Sequence, residues 1–162
     1  MTIVLDNIRS AFNVGSVMRS CDATGSKLVT VGYTPRPLGE TRTLIKKTAI
    51  NAETVVDFTH FDHANEVFEA YPKGIHIAVE LFEDAINIYD FLERYNYEGE
   101  GEEVFLWLGN EIHGISENDK SKFNHLIYLP MVGIKESLNV ANTSTTIMYL
   151  FKTLETKKII KR

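Results

Sequence analysis

Short blocks of apolar, β-branched or aromatic residues punctuate the chain: TIVL (2–5), KLVTVGY (27–33), TVVDF (54–58), GIHIAV (74–79), VFLWLG (104–109) and HLIYLP (125–130). Several are bounded by Gly or Pro, and their length and composition read as strands. Between them, helical spacing of apolar positions recurs at 13–24, 61–71, 86–95, near 117–123 and from about 137 to 158. Strands alternating with helices predict an α/β fold, a mostly parallel sheet with helices on both faces. TPRPLGETR (34–42) and EGEGEE (98–103) read as irregular connections, neither long enough to divide the chain. With no internal repeat, residues 1–162 are expected to form a single domain.

The first helical pattern can be read residue by residue. Val14, Val17, Met18 and Cys21 follow the i, i+3, i+4, i+7 rule, so they form the face that packs on the sheet. Asn13 stands where an N-cap belongs. Arg19 lies well around the helix from the apolar stripe, and Asn7 and Arg9 precede the helix at a strand end. Taken alone, these residues describe a capped helix with solvated arginines.

Charge changes that picture. The formal net charge is -5, which argues at first against a polyanionic partner. The distribution is uneven: residues 1–47 hold seven Lys/Arg against three Asp/Glu, residues 48–119 two against seventeen, and residues 120–162 eight against two. If the fold joins the two ends, an acidic protein acquires a basic face able to bind a polyanion. Cys21 is the only cysteine, which excludes an intrachain disulfide or a cysteine-built metal site and suits a reducing compartment. Neither a secretory leader nor an apolar run of membrane-spanning length is legible, so the cytoplasm is the expected location.

Two further segments carry candidate chemistry. VFLWLGNEIHGIS (104–116) is a strand running directly into Gly109, with Gly114 beyond. In parallel α/β sheets, ligands bind beyond the carboxyl ends of strands, where glycine lets the backbone approach closely. The spacing Gly109, Gly114, Ser116 resembles a phosphate loop, but Ile115 occupies the position where that loop requires lysine. Glu111 can serve the helix that follows by capping or by its charge. HLIYLPMVGIKESLNV (125–140) repeats the pattern of strand, loop and helix, with Ser137 and Asn139 placed to satisfy free N–H groups at the helix start. His60, Asp62 and His63 sit in an amphipathic segment and read as solvated helix positions, so no metal is expected. His113 lies in the glycine loop, within reach of a ligand. Trp107, inside an apolar strand, reads as core.

Taken together, the three strand-end segments resemble the SpoU (TrmH-like) RNA 2'-O-ribose methyltransferases of the SPOUT superfamily. The first motif matches Asn13, Gly15 and Arg19, with Asn7 and Arg9 at its start. The second matches Gly109, Asn110, Glu111 and Gly114, and the third Pro130, Met131, Ser137, Leu138, Asn139 and Val140. The chain departs from the family where small residues usually follow the third motif, reading Ala141, Asn142, Thr143, Ser144, Thr145, and it has Asn51 where glycine is common.

The resemblance implies that the C-terminal part is a deep trefoil knot, a topology that pattern reasoning would not produce. It implies S-adenosylmethionine as cofactor, held in the knot, and a homodimer whose active site is shared between subunits. No appended RNA-binding domain is expected, so the core itself would recognise RNA, with tRNA favoured over rRNA. Arg19, Asn13, Glu111, Ser137 and Asn139 are implied as catalytic. Val79, Glu80, Gly109, Asn110, Gly114, Leu129, Met131, Ser137 and Leu138 are expected to bind the cofactor, Val79 and Glu80 on strand-end position alone. Arg9, Arg19, Arg36, Arg42 and Lys46 are expected to meet RNA. Two other readings remain open here: a non-catalytic knotted RNA-binding protein, and a methyltransferase acting on a base.

Overall fold

A computed structural model of the chain describes residues 1–94 and 103–160. Residues 98–102 of the expected charged connection, and Tyr95 at the end of the expected 86–95 helix, lie outside the described residues. The strands are β1 (Thr2–Asp6), β2 (Lys27–Val31), β3 (Phe58–Phe61), β4 (Ile75–Val79), β5 (Ile86–Asn87), β6 (Val104–Leu108) and β7 (His125–Tyr128). They form one sheet in the order β3-β2-β1-β6-β4-β7-β5, every pairing parallel. Buried on both faces, the central strands have no polar side to show, which is why β6 reads as an unbroken apolar run and β1 is apolar from Ile3 to Leu5.

Successive residues of β6 divide between two cores. Leu106 and Leu108 point to one face with Ile3, Leu5, Ile77 and the apolar stripe of α1 (Ala11–Thr24). Also on that face are residues of α2 (Arg42–Ala49), α4 (Ile88–Arg94) and α5 (Val140–Ile160). Phe105 and Trp107 point to the other, with Val4, Ala78 and Val67 of α3 (Ala64–Ala70). There Trp107 stacks on Phe68 at 4.6 Å and donates its indole N–H to Nδ1 of buried His76 at 3.0 Å. His76 Nε2 faces the Tyr71 carbonyl at 3.0 Å, so the ring is held as the neutral tautomer protonated at Nε2. Burial lowers its pKa in spite of the Tyr71 bond. Trp107 is core, as expected, and it also orients a histidine.

The structure corrects several boundaries. Ser10, not Asn13, caps α1, its side chain accepting from Asn13 N–H at 3.3 Å, and the helix begins at Ala11. Gly25 closes it in the left-handed conformation with φ 62°. The expected strand 54–58 is instead mostly turn, and the strand is Phe58–Phe61, paired with β2 from Leu28. Ile50 and Asn51 adopt positive φ there, and Val55 is left exposed. The left-handed Asn51 accounts physically for a preference for glycine at that point.

His60 belongs to β3, bonded to Thr30 Oγ1 at 3.0 Å and 3.4 Å from Asp62, so it is not a solvated helix position. His63 stands just before α3, its N–H received by Glu66 Oε2. The end of the expected 34–42 loop instead opens α2. That helix packs so closely on α1 that a Cβ on Gly15 would fall 2.2 Å from Thr48 Oγ1. The last helix begins at Val140 rather than 137. Ser20 of α1 meets Thr145 of α5 at 2.6 Å, so helices from the two basic ends of the chain lie side by side.

Candidate functional site

Strands β6, β4 and β7 are neighbours in the sheet, and their carboxyl ends open onto a cavity of about 380 Å³. All nine residues expected at the cofactor line it: Val79, Glu80, Gly109, Asn110, Gly114, Leu129, Met131, Ser137 and Leu138. So do Glu111 and Asn139. Sequence reasoning missed Leu81, Leu108, Ile112, Tyr128, Glu136, Val140 and Thr143. Most of these adjoin residues that were named, and a register extended by one residue would have reached them.

One wall is the turn after β6. Gly109 and Gly114 meet backbone to backbone: a Cβ on Gly109 would lie 2.3 Å from the Gly114 carbonyl carbon. Gly114 has φ 64°, and a Cβ there would strike Glu80 Oε2 at 2.3 Å. Glu80 is committed to the same turn, Oε2 accepting from Ile115 N–H at 3.1 Å and Oε1 from Leu81 N–H at 2.9 Å. The Asn110 side chain spans the turn. Its Oδ1 accepts from the N–H groups of Ile112 and His113, both at 2.9 Å. Its Nδ2 therefore faces the Asn7 carbonyl at 2.8 Å and the Tyr33 hydroxyl at 2.7 Å.

Glu111 does not serve the segment that follows it; it reaches back to α1. Oε2 accepts from Arg9 N–H at 2.9 Å, and Oε1 accepts from Ser10 N–H at 3.2 Å and from Asn13 Nδ2 at 3.0 Å. Burial works against its charge, but these N–H groups outweigh it and hold the carboxyl below its ordinary pKa. Asn13 Oδ1 in turn accepts from Asn139 Nδ2 at 3.0 Å. Asn139 Oδ1 accepts from Ala141 N–H at 2.9 Å and so caps α5. The amide orientations can run only one way: Asn139 donates to Asn13, and Asn13 donates to Glu111. One hydrogen-bond chain thus joins the three motif segments at the rim of the cavity.

The other wall, residues 130–139, is largely exposed. Val132 and Ile134 are fully exposed, and Ser137 and Glu136 lie open on the cavity.

Arg19 is not brought to the cavity. It lies on the exposed side of α1, six residues and roughly 9 Å along the axis from Asn13. Arg9, Arg36, Arg42 and Lys46 are likewise exposed, the last two sharing a face of α2. The ion pairs among the described residues use Lys27, Lys120, Lys122 and His60, and none of these five. His113 is exposed and outside the cavity lining. Among the described residues there is no group of side chains suited to a metal, and no helix long and apolar enough to cross a membrane. The Cys21 thiol is buried and pushed up to about 12 by that burial.

Residues 1–149 match the model of the SpoU rRNA Methylase family. A candidate tRNA (cytidine(34)-2'-O)-methyltransferase of Bacillus subtilis is 26% identical over 140 residues, spanning 85% of this chain and 82% of that protein. A 23S rRNA (guanosine-2'-O-)-methyltransferase of Ralstonia nicotianae is 27% identical over 92% of this chain, which spans only 57% of that relative. Among solved structures, the SpoU methyltransferase AviRb of Streptomyces viridochromogenes in complex with AdoMet superposes with a TM-score of 0.78. Its identity is 19%, over 97% of this chain and 57% of that one.

Proposed function

The chain belongs to the SpoU rRNA methylase family, and on that premise we propose that it is an RNA ribose methyltransferase that uses S-adenosylmethionine, with tRNA as its substrate. The observation that carries this reading is the chain of hydrogen bonds from Asn139 through Asn13 to Glu111 at the cavity rim. Separate caps would satisfy the local backbone; a linked set is what positions a reacting group.

The cavity suits the cofactor in size and lining. Val79, Leu108 and Leu138 offer apolar surface, the Gly109–Gly114 contact keeps the backbone close, and the exposed Glu136 carboxylate faces a site for a cationic ligand. When bound, the cofactor would supply an electrophilic methyl group; the ribose oxygen would take that methyl, leaving the neutral thioether, and would release its proton to solvent water. Positive charge beside that oxygen favours the alkoxide, and an always-charged guanidinium provides it. We assign that part to Arg19, as stabiliser of the alkoxide or holder of an RNA phosphate rather than as base. Asn13, fixed by Glu111 and Asn139, orients the ribose; Ser137 and Asn139 shape the acceptor side.

Because Arg19 stands outside the cavity of its own chain, the reading includes a homodimer with a shared active site. It also includes a trefoil knot at the C-terminal part and action in the cytoplasm. Arg9, Arg36, Arg42 and Lys46 provide charge for the RNA backbone. The preference for tRNA rests on the Bacillus subtilis relative, whose length this chain nearly spans.

The test is transfer of labelled methyl from S-adenosylmethionine into unmodified tRNA and rRNA, followed by digestion to nucleosides. Label in a 2'-O-methylnucleoside from tRNA is expected. Label in rRNA alone would move the substrate, label on a base would overturn the reaction, and saturable cofactor binding without transfer would favour a non-catalytic RNA-binding protein.

A further inference from the structure

An aromatic ring that no motif names stands beside the cavity wall. Tyr33 follows β2 and is 61% exposed, yet it is held at two points. Its backbone N–H donates to Asn7 Oδ1 at 3.3 Å, and its hydroxyl accepts from Asn110 Nδ2 at 2.7 Å. Asn7 is itself in the left-handed conformation with φ 53°, and Gly32, with φ 64°, leaves the room that Asn7 Oδ1 fills. The turn is therefore built around the ring's placement, and the ring is exposed without being loose. A solvent-facing tyrosine with no task would cost rotamer entropy to fix in this way.

Its surroundings select the ligand. Asn110 lines the cavity, so the ring is one hydrogen bond from the cavity wall. Arg9, whose N–H is bonded to Glu111, and Arg36, three residues beyond Tyr33, are exposed and without ion pairs among the described residues. Ile112, whose N–H bonds to Asn110 Oδ1, adds exposed apolar surface at the cavity. An exposed aromatic ring held by hydrogen bonds, with exposed arginines on the same strand-end loops, is suited to receive an unstacked base while the cations track phosphates. Since Asn110 donates to the Tyr33 oxygen, the phenolic proton remains available to an acceptor on the ligand.

We propose that Tyr33 is a stacking platform for a nucleobase adjacent to the methylated ribose, and so a determinant of which single-stranded RNA segment the site accepts. The inference rests on the methyltransferase reading for the identity of that ribose, but not for the stacking itself.

The test compares wild type, Tyr33→Ala, Tyr33→Phe and Arg36→Ala. The readouts are anisotropy of a fluorescein-labelled single-stranded ribo-oligonucleotide across a salt series, S-adenosylmethionine affinity by calorimetry, and kcat/KM for RNA. Tyr33→Ala is expected to weaken oligonucleotide binding on the order of tenfold at every salt concentration, with the salt slope and cofactor affinity unchanged. Tyr33→Phe keeps the π face and should stay within about threefold of wild type, whereas Arg36→Ala should make the slope shallower by about one. In transfer assays the Tyr33→Ala loss should appear in kcat/KM for RNA. The proposal is overturned if Tyr33→Ala binds as wild type, if Tyr33→Phe falls as far as Tyr33→Ala, or if cofactor affinity drops in step with RNA affinity. Wild type that binds the oligonucleotide through Tyr33 but transfers no methyl would overturn the methyltransferase reading while leaving the platform standing.

Discussion

The two walls of the cavity are built on opposite principles. Residues 109–115 are bolted: glycine backbone lies on glycine backbone, the Asn110 side chain makes four hydrogen bonds, Glu111 accepts three, and Ile115 is buried. Residues 130–139 are open, fastened at the far end by Asn139, with Val132 and Ile134 wholly in solvent. A segment with few buried contacts has a low local opening free energy, and ligand contacts are what would order it. The first wall is therefore a preformed template and the second a surface that a ligand completes.

Arg19→Ala removes a charge that belongs to neither wall, so it separates chemistry from binding. Transfer should fall by about 10²–10³-fold, the cost of losing one group that stabilises a developing oxyanion. Cofactor affinity in a calorimetric titration should stay nearly constant; a large loss would place Arg19 in cofactor binding instead. Gly109→Ala attacks the bolted wall directly. With its Cβ 2.3 Å from the Gly114 carbonyl carbon, the turn must open, at a cost of about 1–3 kcal/mol in stability and at least roughly tenfold in cofactor affinity. Val132→Ala, in the open wall, should move thermal stability by less than about 0.5 kcal/mol.

The bolted wall also carries a liability at its root. Asp6, at the end of β1, has its pKa raised to about 6 by burial and then by Asp119, against a bond from Asn7. The folded protein thus holds a proton there that the unfolded chain releases near 3.8, so stability declines as pH rises from about 4 to 6 and stays lowered above. Asp6→Asn should flatten that decline and raise stability at pH 7 by up to about 2 kcal/mol in denaturant titrations. Glu111 has the opposite sign. Its pKa is lowered, so its contribution is complete above the ordinary carboxylate range and is lost as pH falls through the lowered value. Glu111→Gln must turn an amide N–H toward one of the N–H groups now donating to it, which should cost about 1 kcal/mol at neutral pH and little in acid.

The placement of the walls was legible because strand ends could be located. Val79 and Glu80 were assigned from position alone, and both line the cavity. The hydrogen-bond chain was not legible, because Asn13 and Asn139 lie 126 residues apart and each has a sufficient local explanation as a cap. For Asn13 that local explanation was wrong, since Ser10 holds the cap and leaves the amide free for Glu111. Helix α2 was hidden by the prolines and glycine before it and by having only Ile45 and Ala49 buried. Strand β3 was misplaced because at a sheet edge the apolar residues Val55 and Val56 belong to the preceding turn. Arg19 shows the limit from the other direction: its motif was plain, but one chain does not deliver it to the cavity.

The most direct measurement is amide hydrogen exchange with and without saturating S-adenosylmethionine. Residues 109–115 should already be slow in the free protein and change little, while residues 131–139 should exchange quickly alone and become protected with the cofactor. Protection that appears elsewhere, with 131–139 unchanged at saturation, would contradict the assignment of this cavity as the cofactor site.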